Sequence, residues 1–157
     1  LTLALASVTG LSLTTFASAC PPVSDPPGPS VTQPQPVVRI ALLLDTSNSM
    51  GAKLQQSRQA AAQFFKTANP EDEFFLVQFN DRPELVVPFT SNPEEIQNRL
   101  TFTQAKGRTA LLDGVYLAMN HMKKAKNPRK AILVLSDGGD NSSRYTESEI
   151  KNLVREA

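Results

Sequence analysis

The chain has 157 residues, which is enough for one domain of ordinary size. Its 16 Lys and Arg residues nearly cancel its 15 Asp and Glu residues, and a net charge of +1 argues against nucleic acid as an electrostatic partner. One cysteine, Cys20, excludes an internal disulfide and a cysteine-rich zinc site, and one histidine, His121, excludes a multi-histidine metal centre.

Residues 1–20 have the pattern of a secretory signal peptide that lacks its basic beginning. No charged residue precedes Cys20, and the stretch ends in the small residues Ala17, Ser18 and Ala19. A transmembrane anchor is the alternative, but the serine and threonine content and the small-residue ending favour a signal peptide. We therefore expect an exported protein.

Cys20 directly follows this segment and resembles the lipid-modified cysteine of bacterial lipoproteins. That family usually has Leu where this chain has Ala17, and Ala17-Ser18-Ala19 also fits an ordinary cleavage site. An exposed free thiol invites side reactions, which favours lipidation at Cys20. We expect a lipid anchor in a bacterial cell envelope, with ordinary secretion as the alternative.

Residues 21–36 form a proline-rich segment between the expected anchor and the folded domain. Seven of these 16 residues are proline, and Asp25 carries the only charge. Such a sequence favours extended polyproline II, which makes a semi-rigid spacer. A proline-rich ligand for a partner domain is the alternative, but composition alone already explains a spacer.

From residue 37 onwards, predicted strands alternate with predicted helices. An apolar run at residues 37–44 predicts a strand buried on both faces, and residues 53–68 predict the helix that follows. Residues 74–79 and 85–87 predict two further strands, and the short turn between them makes this pair antiparallel. A proline just after the second of these strands places it at an edge of the sheet.

The second half continues the same alternation. Asn92 and Glu95 predict a capping box at the start of one helix, and residues 110–126 predict another helix. Residues 131–135 predict a strand buried on both faces, and a second capping box at Thr146 predicts a last helix. This order of elements predicts an α/β sheet covered by helices on both faces.

The predicted strand at residues 131–135 lacks a neighbour on one side if nothing follows the last helix. A bare apolar edge is an aggregation liability that natural proteins avoid. We therefore expect the domain at residues 37–157 to be incomplete at its C-terminus and to continue with at least one more strand.

Three loops beside these elements carry the side chains with metal-binding chemistry. The residues are Asp45, Ser47 and Ser49 after the first buried strand, Thr109 before a helix, and Asp137 after the last strand. Loops at the carboxyl ends of strands form the ligand crevice of an open α/β sheet. Two carboxylates and three hydroxyls supply only oxygen, which suits Mg²⁺ or Mn²⁺ and not zinc. The carboxylates are needed to offset the positive N-terminus of the following helix.

Each of these residues also has an ordinary structural interpretation. Ser47 or Ser49 can cap the following helix, Thr109 can cap its own helix, and Asp137 with Gly138 makes a common turn. The combination of strand, loop and downstream hydroxyl is what favours a metal site. We expect the first carboxylate of the site to be partly exposed.

Three short segments together resemble the von Willebrand factor type A (vWA) domain with its metal-ion-dependent adhesion site. They are Asp45-Thr46-Ser47-Asn48-Ser49-Met50-Gly51, Gly107-Arg108-Thr109-Ala110-Leu111 and Leu133-Val134-Leu135-Ser136-Asp137-Gly138. The resemblance implies a Rossmann-like open sheet, mostly parallel, with one antiparallel edge strand. It implies that Ser47, Ser49 and Thr109 hold Mg²⁺ directly. It also implies that Asp45 and Asp137 act largely through water, so that the ion stays electrophilic and accepts a carboxylate from a partner protein.

Two functions remain for such a site. The first is an extracytoplasmic protein-binding module that captures an acidic side chain of a partner through Mg²⁺. The second is a Mg²⁺-dependent phosphohydrolase that uses the same Asp, Ser and Thr cluster. The chain lacks a Gly-rich nucleotide motif and a second Asp two residues after Asp45, and His121 is remote in sequence from the site loops. We therefore expect a binding module and not an enzyme, with a site that only stabilises the fold as a third interpretation.

Overall fold

The computed structural model describes residues 2–6, 37–123 and 129–156. Most of the expected signal peptide, the expected lipidation site at Cys20 and the expected spacer at residues 21–36 lie outside these residues. Within the described part of the chain, no helix is long and apolar enough to cross a membrane.

Five strands form one mixed sheet in the described residues. They are β1 (Thr2–Ala6), β2 (Arg39–Asp45), β3 (Glu73–Phe79), β4 (Pro83–Thr90) and β5 (Lys130–Leu135). The strand order is β1-β5-β2-β3-β4, and every neighbouring pair is parallel except β3 and β4. The prediction of a mostly parallel sheet with one antiparallel edge strand is confirmed.

Helices cover both faces of this sheet. They are α1 (Leu54–Thr67), α2 (Pro93–Thr101), α3 (Leu111–Lys123) and α4 (Glu147–Arg155), with one turn of 3₁₀ helix, Asn48–Met50, before α1. Successive side chains of a strand point to opposite faces. In β2, Ile40, Leu42 and Leu44 therefore pack in the core with α1 and α2, whereas Ala41 and Leu43 pack in the core with α3 and α4. The continuous apolar run of β2 thus supplies two cores at once.

The two predicted capping boxes have different outcomes. Thr146 forms its box at the start of α4, as predicted. Asn92 caps α2, but its side chain accepts a hydrogen bond from the N–H of Glu94 at 3.0 Å, and the predicted box with Glu95 is wrong. The N–H of Asn92, which Glu95 would need as a donor, is used by Thr90 Oγ1 at 3.0 Å.

One edge of the sheet differs from the prediction. β1 lies parallel to β5, with Thr2 opposite Ala131 and Ala6 opposite Leu135, so the expected bare edge of β5 is wrong for the described chain. Unpaired N–H and C=O groups at an apolar edge accept another extended segment, and the N-terminal residues supply one. These residues belong to the expected signal peptide, so the pairing applies to a chain that retains them.

Backbone hydrogen bonds join the loops at the carboxyl end of the sheet. The loop after β2 is bonded twice to the loop between α2 and α3. Lys106 N–H donates to the carbonyl of Thr46 at 2.7 Å, and Asn48 N–H donates to the carbonyl of Gly107 at 3.0 Å. The second loop therefore covers the first and holds it in place.

The covering loop needs a glycine at position 107 for two reasons, its backbone conformation and the closeness of Asp81. Its φ of +78° lies in the left-handed region, which a residue with a Cβ rarely adopts. A Cβ at this position would be 2.4 Å from Asp81 Oδ2. Asp81 is not free to withdraw, because its Oδ1 accepts a hydrogen bond from Arg108 N–H at 2.9 Å.

Asp140 holds the loop after β5 against the start of α3. Its Oδ2 accepts from Leu112 N–H at 3.0 Å, and its Oδ1 accepts from the N–H groups of Ser142 at 3.2 Å and Ser143 at 3.0 Å. Burial raises the pKa of Asp140, but the hydrogen bonds from Ser143, Leu112 and Ser142 outweigh burial and lower the pKa from its ordinary value of 3.8. The ionised carboxylate also interacts favourably with the N-terminus of α3.

Gly107→Ala should lower the free energy of unfolding by about 1–3 kcal/mol, because left-handed strain adds to the clash with Asp81. Gly51→Ala is the matched control, since Gly51 has a φ of −48° and its Cβ would meet nothing closer than 3.4 Å. That change should be neutral or stabilising by up to about 1 kcal/mol. Urea unfolding followed by circular dichroism measures both. Equal losses in the two variants would contradict this account of the loop.

Asp140→Asn should lower the melting temperature at neutral pH. The amide NH₂ takes the place of the oxygen that accepts from Leu112 N–H, so two donors face each other and that hydrogen bond is lost. A carboxyl group whose pKa is lowered by folding contributes stability above its unfolded pKa, and that contribution disappears as pH falls through the folded pKa. The difference from wild type should therefore shrink below about pH 4. Thermal unfolding at a series of pH values from about 7 to 3 measures this. A constant difference would mean that ionisation of Asp140 contributes nothing.

Candidate metal centre

Asp45 ends β2 with a fully buried side chain, at 0% exposure, so the expectation of a partly exposed carboxylate is wrong. Its Oδ1 accepts from Ser47 N–H at 2.9 Å, and its Oδ2 accepts from the hydroxyl of Ser136 at 2.6 Å. Among the described residues, no Lys, Arg or His forms an ion pair with it. A buried carboxylate with two hydrogen bonds and no counter-charge is costly, which favours a cation nearby.

Ser47 and Ser49 point their hydroxyls at one another and do not cap a helix. Their Oγ atoms are 3.0 Å apart. Ser47 precedes the 3₁₀ turn but makes no side-chain capping hydrogen bond, and α1 begins only after Lys53, which makes none either. The helix-cap interpretation of these serines is therefore wrong. The backbone N–H of Ser47 connects this pair of hydroxyls to the buried carboxylate of Asp45.

Asp137 completes a continuous chain of contacts with these serines. The hydroxyl of Ser49 donates to Asp137 Oδ1 at 3.1 Å, and the ammonium of Lys53 donates to Asp137 Oδ2 at 2.9 Å. Burial raises the pKa of Asp137, but the hydrogen bonds from Lys53 and Ser49 and the charge of Lys53 outweigh it and lower the pKa of this carboxyl. The carboxylate is therefore ionised across the neutral pH range.

Backbone hydrogen bonds hold Thr109 against the loop after β5. Its N–H donates to Asn141 Oδ1 at 2.9 Å, and its carbonyl accepts from the N–H groups of Asn141 at 3.0 Å and Ser142 at 3.1 Å. Thr109 is buried, and the helix that follows it begins at Leu111. Hydrogen bonds thus connect four of the five predicted residues, Asp45, Ser47, Ser49 and Asp137. The loop of Thr109 contacts the loop of the two serines through Gly107 and Asn48.

The donor set is compatible with a small divalent cation. Neighbouring ligands of an octahedral Mg²⁺ with bonds of about 2.0–2.1 Å are about 2.9 Å apart. The Ser47–Ser49 and Ser49–Asp137 oxygen distances, 3.0 and 3.1 Å, are close to that spacing. In residues 37–123 and 129–156, no three His, Cys, Asp or Glu side chains cluster as metal ligands, so hydroxyl oxygens would be needed here.

Sequence reasoning missed three residues that shape this centre. Ser136 bonds the buried carboxylate, Asn141 fixes the threonine loop, and Lys53 contacts the second carboxylate. Ser136 could have been found from the sequence, because its hydroxyl directly precedes the predicted ligand Asp137. Lys53 and Asn141 carried no signal, because their partners are 84 and 32 positions away in the sequence.

The one histidine of the sequence lies at the other end of the sheet. His121 stacks on Phe89 with ring centroids 5.1 Å apart and contacts Phe75 at 4.8 Å. The guanidinium of Arg39 lies over the ring of Phe89. Arg39 is the first residue of β2, and Asp45 is its last residue. These two ends of β2 are about 20 Å apart. The half-buried histidine is therefore remote from the loops that carry Asp45 and Asp137.

Known proteins of several kinds are similar to this chain. Over 131 residues it is 28% identical to inter-alpha-trypsin inhibitor heavy chain H4 of Bos taurus, a match that covers 75% of this chain but only 14% of that protein. The von Willebrand factor type A structure from Catenulispora acidiphila has a TM-score of 0.66 at 18% identity, covering 76% of this chain and 30% of that one. The type V pili tip protein Mfa5 of Porphyromonas gingivalis has a TM-score of 0.60 at 23% identity, covering 65% of this chain and 20% of that one.

The structural matches share the fold, and the sequence matches reach only a small part of the longer proteins. The family description of the von Willebrand factor type A domain matches residues 40–139, more than half of the chain. This chain therefore belongs to the von Willebrand factor type A family.

Proposed function

We propose that this vWA domain is an extracytoplasmic protein-binding module that captures an acidic side chain of a partner protein through Mg²⁺. The observation that carries the proposal is the buried carboxylate of Asp45, which has no ion pair among the described residues. It lies beside a chain of oxygen donors that runs through Ser47 and Ser49 to Asp137. vWA domains are typically protein-interaction modules, which agrees with this chemistry.

The proposed ligands divide by charge. The hydroxyls of Ser47, Ser49 and Thr109 would hold the ion, and the carboxylates of Asp45 and Asp137 would act mainly through water. The hydrogen bonds that Asp45 accepts from Ser47 N–H and the Ser136 hydroxyl support this indirect role, because each of its oxygens is already held by one hydrogen bond inside the fold. Bound Mg²⁺, or Mn²⁺ in its place, supplies a Lewis acid that accepts a carboxylate.

The same contacts argue against the phosphohydrolase alternative. A nucleophilic Asp45 would need an oxygen directed at the phosphorus atom, but its two oxygens accept bonds at 2.9 and 2.6 Å inside the fold. His121 packs against Phe75, which pairs with Ala41 four positions before Asp45. A general base must be within hydrogen-bond reach of the proton that it takes, so His121 is too far along the sheet to act there. We therefore propose binding and not catalysis.

The proposed location is the bacterial cell envelope. Residues 1–20 have the composition of a signal peptide, and Cys20 stands where a lipid anchor would be attached. The similarity in fold to a pilus tip protein agrees with an extracytoplasmic domain. A lipid anchor followed by a proline-rich spacer would hold the domain at a distance from the membrane surface, with secretion as the alternative.

Calorimetric titration with Mg²⁺ tests the proposed site. Asp45→Asn should abolish detectable binding, because it removes one of two carboxylates that offset the ion and the helix N-terminus while keeping the shape of the side chain. Thr109→Val should weaken Mg²⁺ uptake less, because both negative charges remain, and should impair capture of the partner more. Capture is scored by a pull-down from envelope extract with and without EDTA.

Asp72→Asn is the matched control for this titration. Asp72 is also a buried carboxylate, and it accepts backbone hydrogen bonds from Val38 at 2.8 Å and Asn69 at 3.0 Å, near the start of β2. It should bind Mg²⁺ as wild type does, and circular dichroism should show the same fold for all three variants. Wild-type affinity in Asp45→Asn would show that the metal site is wrongly assigned.

Cys20 gives a separate test of the location. Protein purified from its native bacterium should begin at Cys20 and carry acyl chains, as measured by intact-mass and tandem mass spectrometry. Cys20→Ser should move the protein from the membrane fraction to the soluble fraction, because a thioether-linked lipid can no longer form. An unmodified Cys20 at the N-terminus would refute the anchor and support ordinary secretion.

A further inference from the structure

The side chains of Asp45, Ser47, Ser49 and Asp137 form an acidic centre, and Lys53 reaches into it from the start of α1. Its backbone is fixed on both sides, because its N–H donates to the carbonyl of Met50 at 2.8 Å and its carbonyl accepts from Ser57 N–H at 2.9 Å. The ammonium lies 2.9 Å from Asp137 Oδ2. The side chain is 50% exposed, whereas that of Asp137 is 13% exposed. The backbone of Lys53 is therefore held in place, whereas its ammonium group can still turn towards solvent.

The ammonium contacts the same carboxylate that the proposed metal site uses. Asp137 Oδ1 accepts from the hydroxyl of Ser49 at 3.1 Å, and Asp137 Oδ2 accepts from Lys53. Other cations near these loops behave differently. Within the described residues, the side chains of Lys106 and Arg82 form no ion pair. Lys53 is thus the cation that the fold brings to the acidic centre.

We propose that Lys53 is a tethered counter-cation that competes with the divalent ion for Asp137 and so sets the metal affinity of the site. This inference rests on the proposed Mg²⁺ site. A monovalent ammonium and a divalent ion next to one carboxylate repel each other, so metal binding requires Lys53 to swing into solvent. Its half-exposed, flexible side chain can make that movement.

The size of the effect follows from the exposure of the pair. Exposed ion pairs contribute little to stability, so the cost of breaking this contact lowers the metal affinity of the wild-type site only modestly and does not block binding. In exchange, Lys53 partly neutralises the acidic centre whenever no divalent ion is present. The domain then avoids the repulsion of two ionised carboxylates in one crevice. Lys53 therefore tunes the metal concentration at which partner capture begins.

Calorimetric titration of the purified chain with Mg²⁺ alone tests this role. Lys53→Met should bind Mg²⁺ roughly twofold to fivefold more tightly than wild type, the factor that corresponds to an exposed ion pair. Lys53→Arg keeps a cation on a long side chain and should stay near wild type. Lys106→Met removes a positive charge from a neighbouring loop without breaking an ion pair and should change the affinity by less than about 1.5-fold.

Thermal unfolding gives a second readout that does not depend on bound metal. In EDTA, Lys53→Met should melt at a lower temperature than wild type and Lys106→Met, because Asp137 has lost its counter-charge. Added Mg²⁺ should then raise the melting temperature of Lys53→Met more than that of wild type. Unchanged or weaker Mg²⁺ binding by Lys53→Met, with wild type still binding, would refute the competition and leave the metal site intact. Absence of Mg²⁺ binding in every variant and in wild type would overturn the proposed function and this inference with it.

Discussion

The carboxyl edge of this domain is organised around one buried carboxylate. Asp45 ends the central strand inside the protein, where an ionised group costs several kcal/mol unless its oxygens are bonded. The loop after β2 turns so that its own Ser47 N–H meets one oxygen, and the loop after β5 brings the Ser136 hydroxyl to the other. Each oxygen still has acceptor capacity, and no basic side chain of the described residues balances the charge. The remaining loops are arranged around that negative charge.

The sheet supplies the rigidity that such an arrangement needs. β2 lies between β5 and β3 and buries apolar side chains on both faces, so its last residue has little freedom to move. Lys106 and Gly107 cover the loop that follows, and Asp140 and Asn141 hold the loop after β5 to the start of α3. Polar groups placed on rigid elements and held by further hydrogen bonds keep a ligand geometry better than free loops do.

The sequence predicted the strands, their directions and the meeting of Ser47, Ser49 and Asp137, because these follow from local patterns and from parallel strands ending at one edge. It did not predict how deeply Asp45 is buried, since that depth depends on a covering loop about 60 residues later in the chain. The capping box predicted for Asn92 and Glu95 was wrong because the hydroxyl of Thr90 accepts the hydrogen bond from Asn92 N–H that Glu95 would have accepted. The strand beside β5 was missed because an apolar leader and an apolar strand have similar compositions.

The separation of the contacting residues along the chain also has a kinetic consequence. Ser49 and Asp137 are 88 positions apart, and Asp45 and Ser136 are 91 positions apart. Contacts of such high contact order form only after the intervening chain has closed a long loop, so they belong to the late stages of folding. A polypeptide threaded through a translocation channel in an extended state has no assembled acidic centre. Ion binding would therefore begin only after the last central strand has docked, on whichever side of the membrane folding is completed.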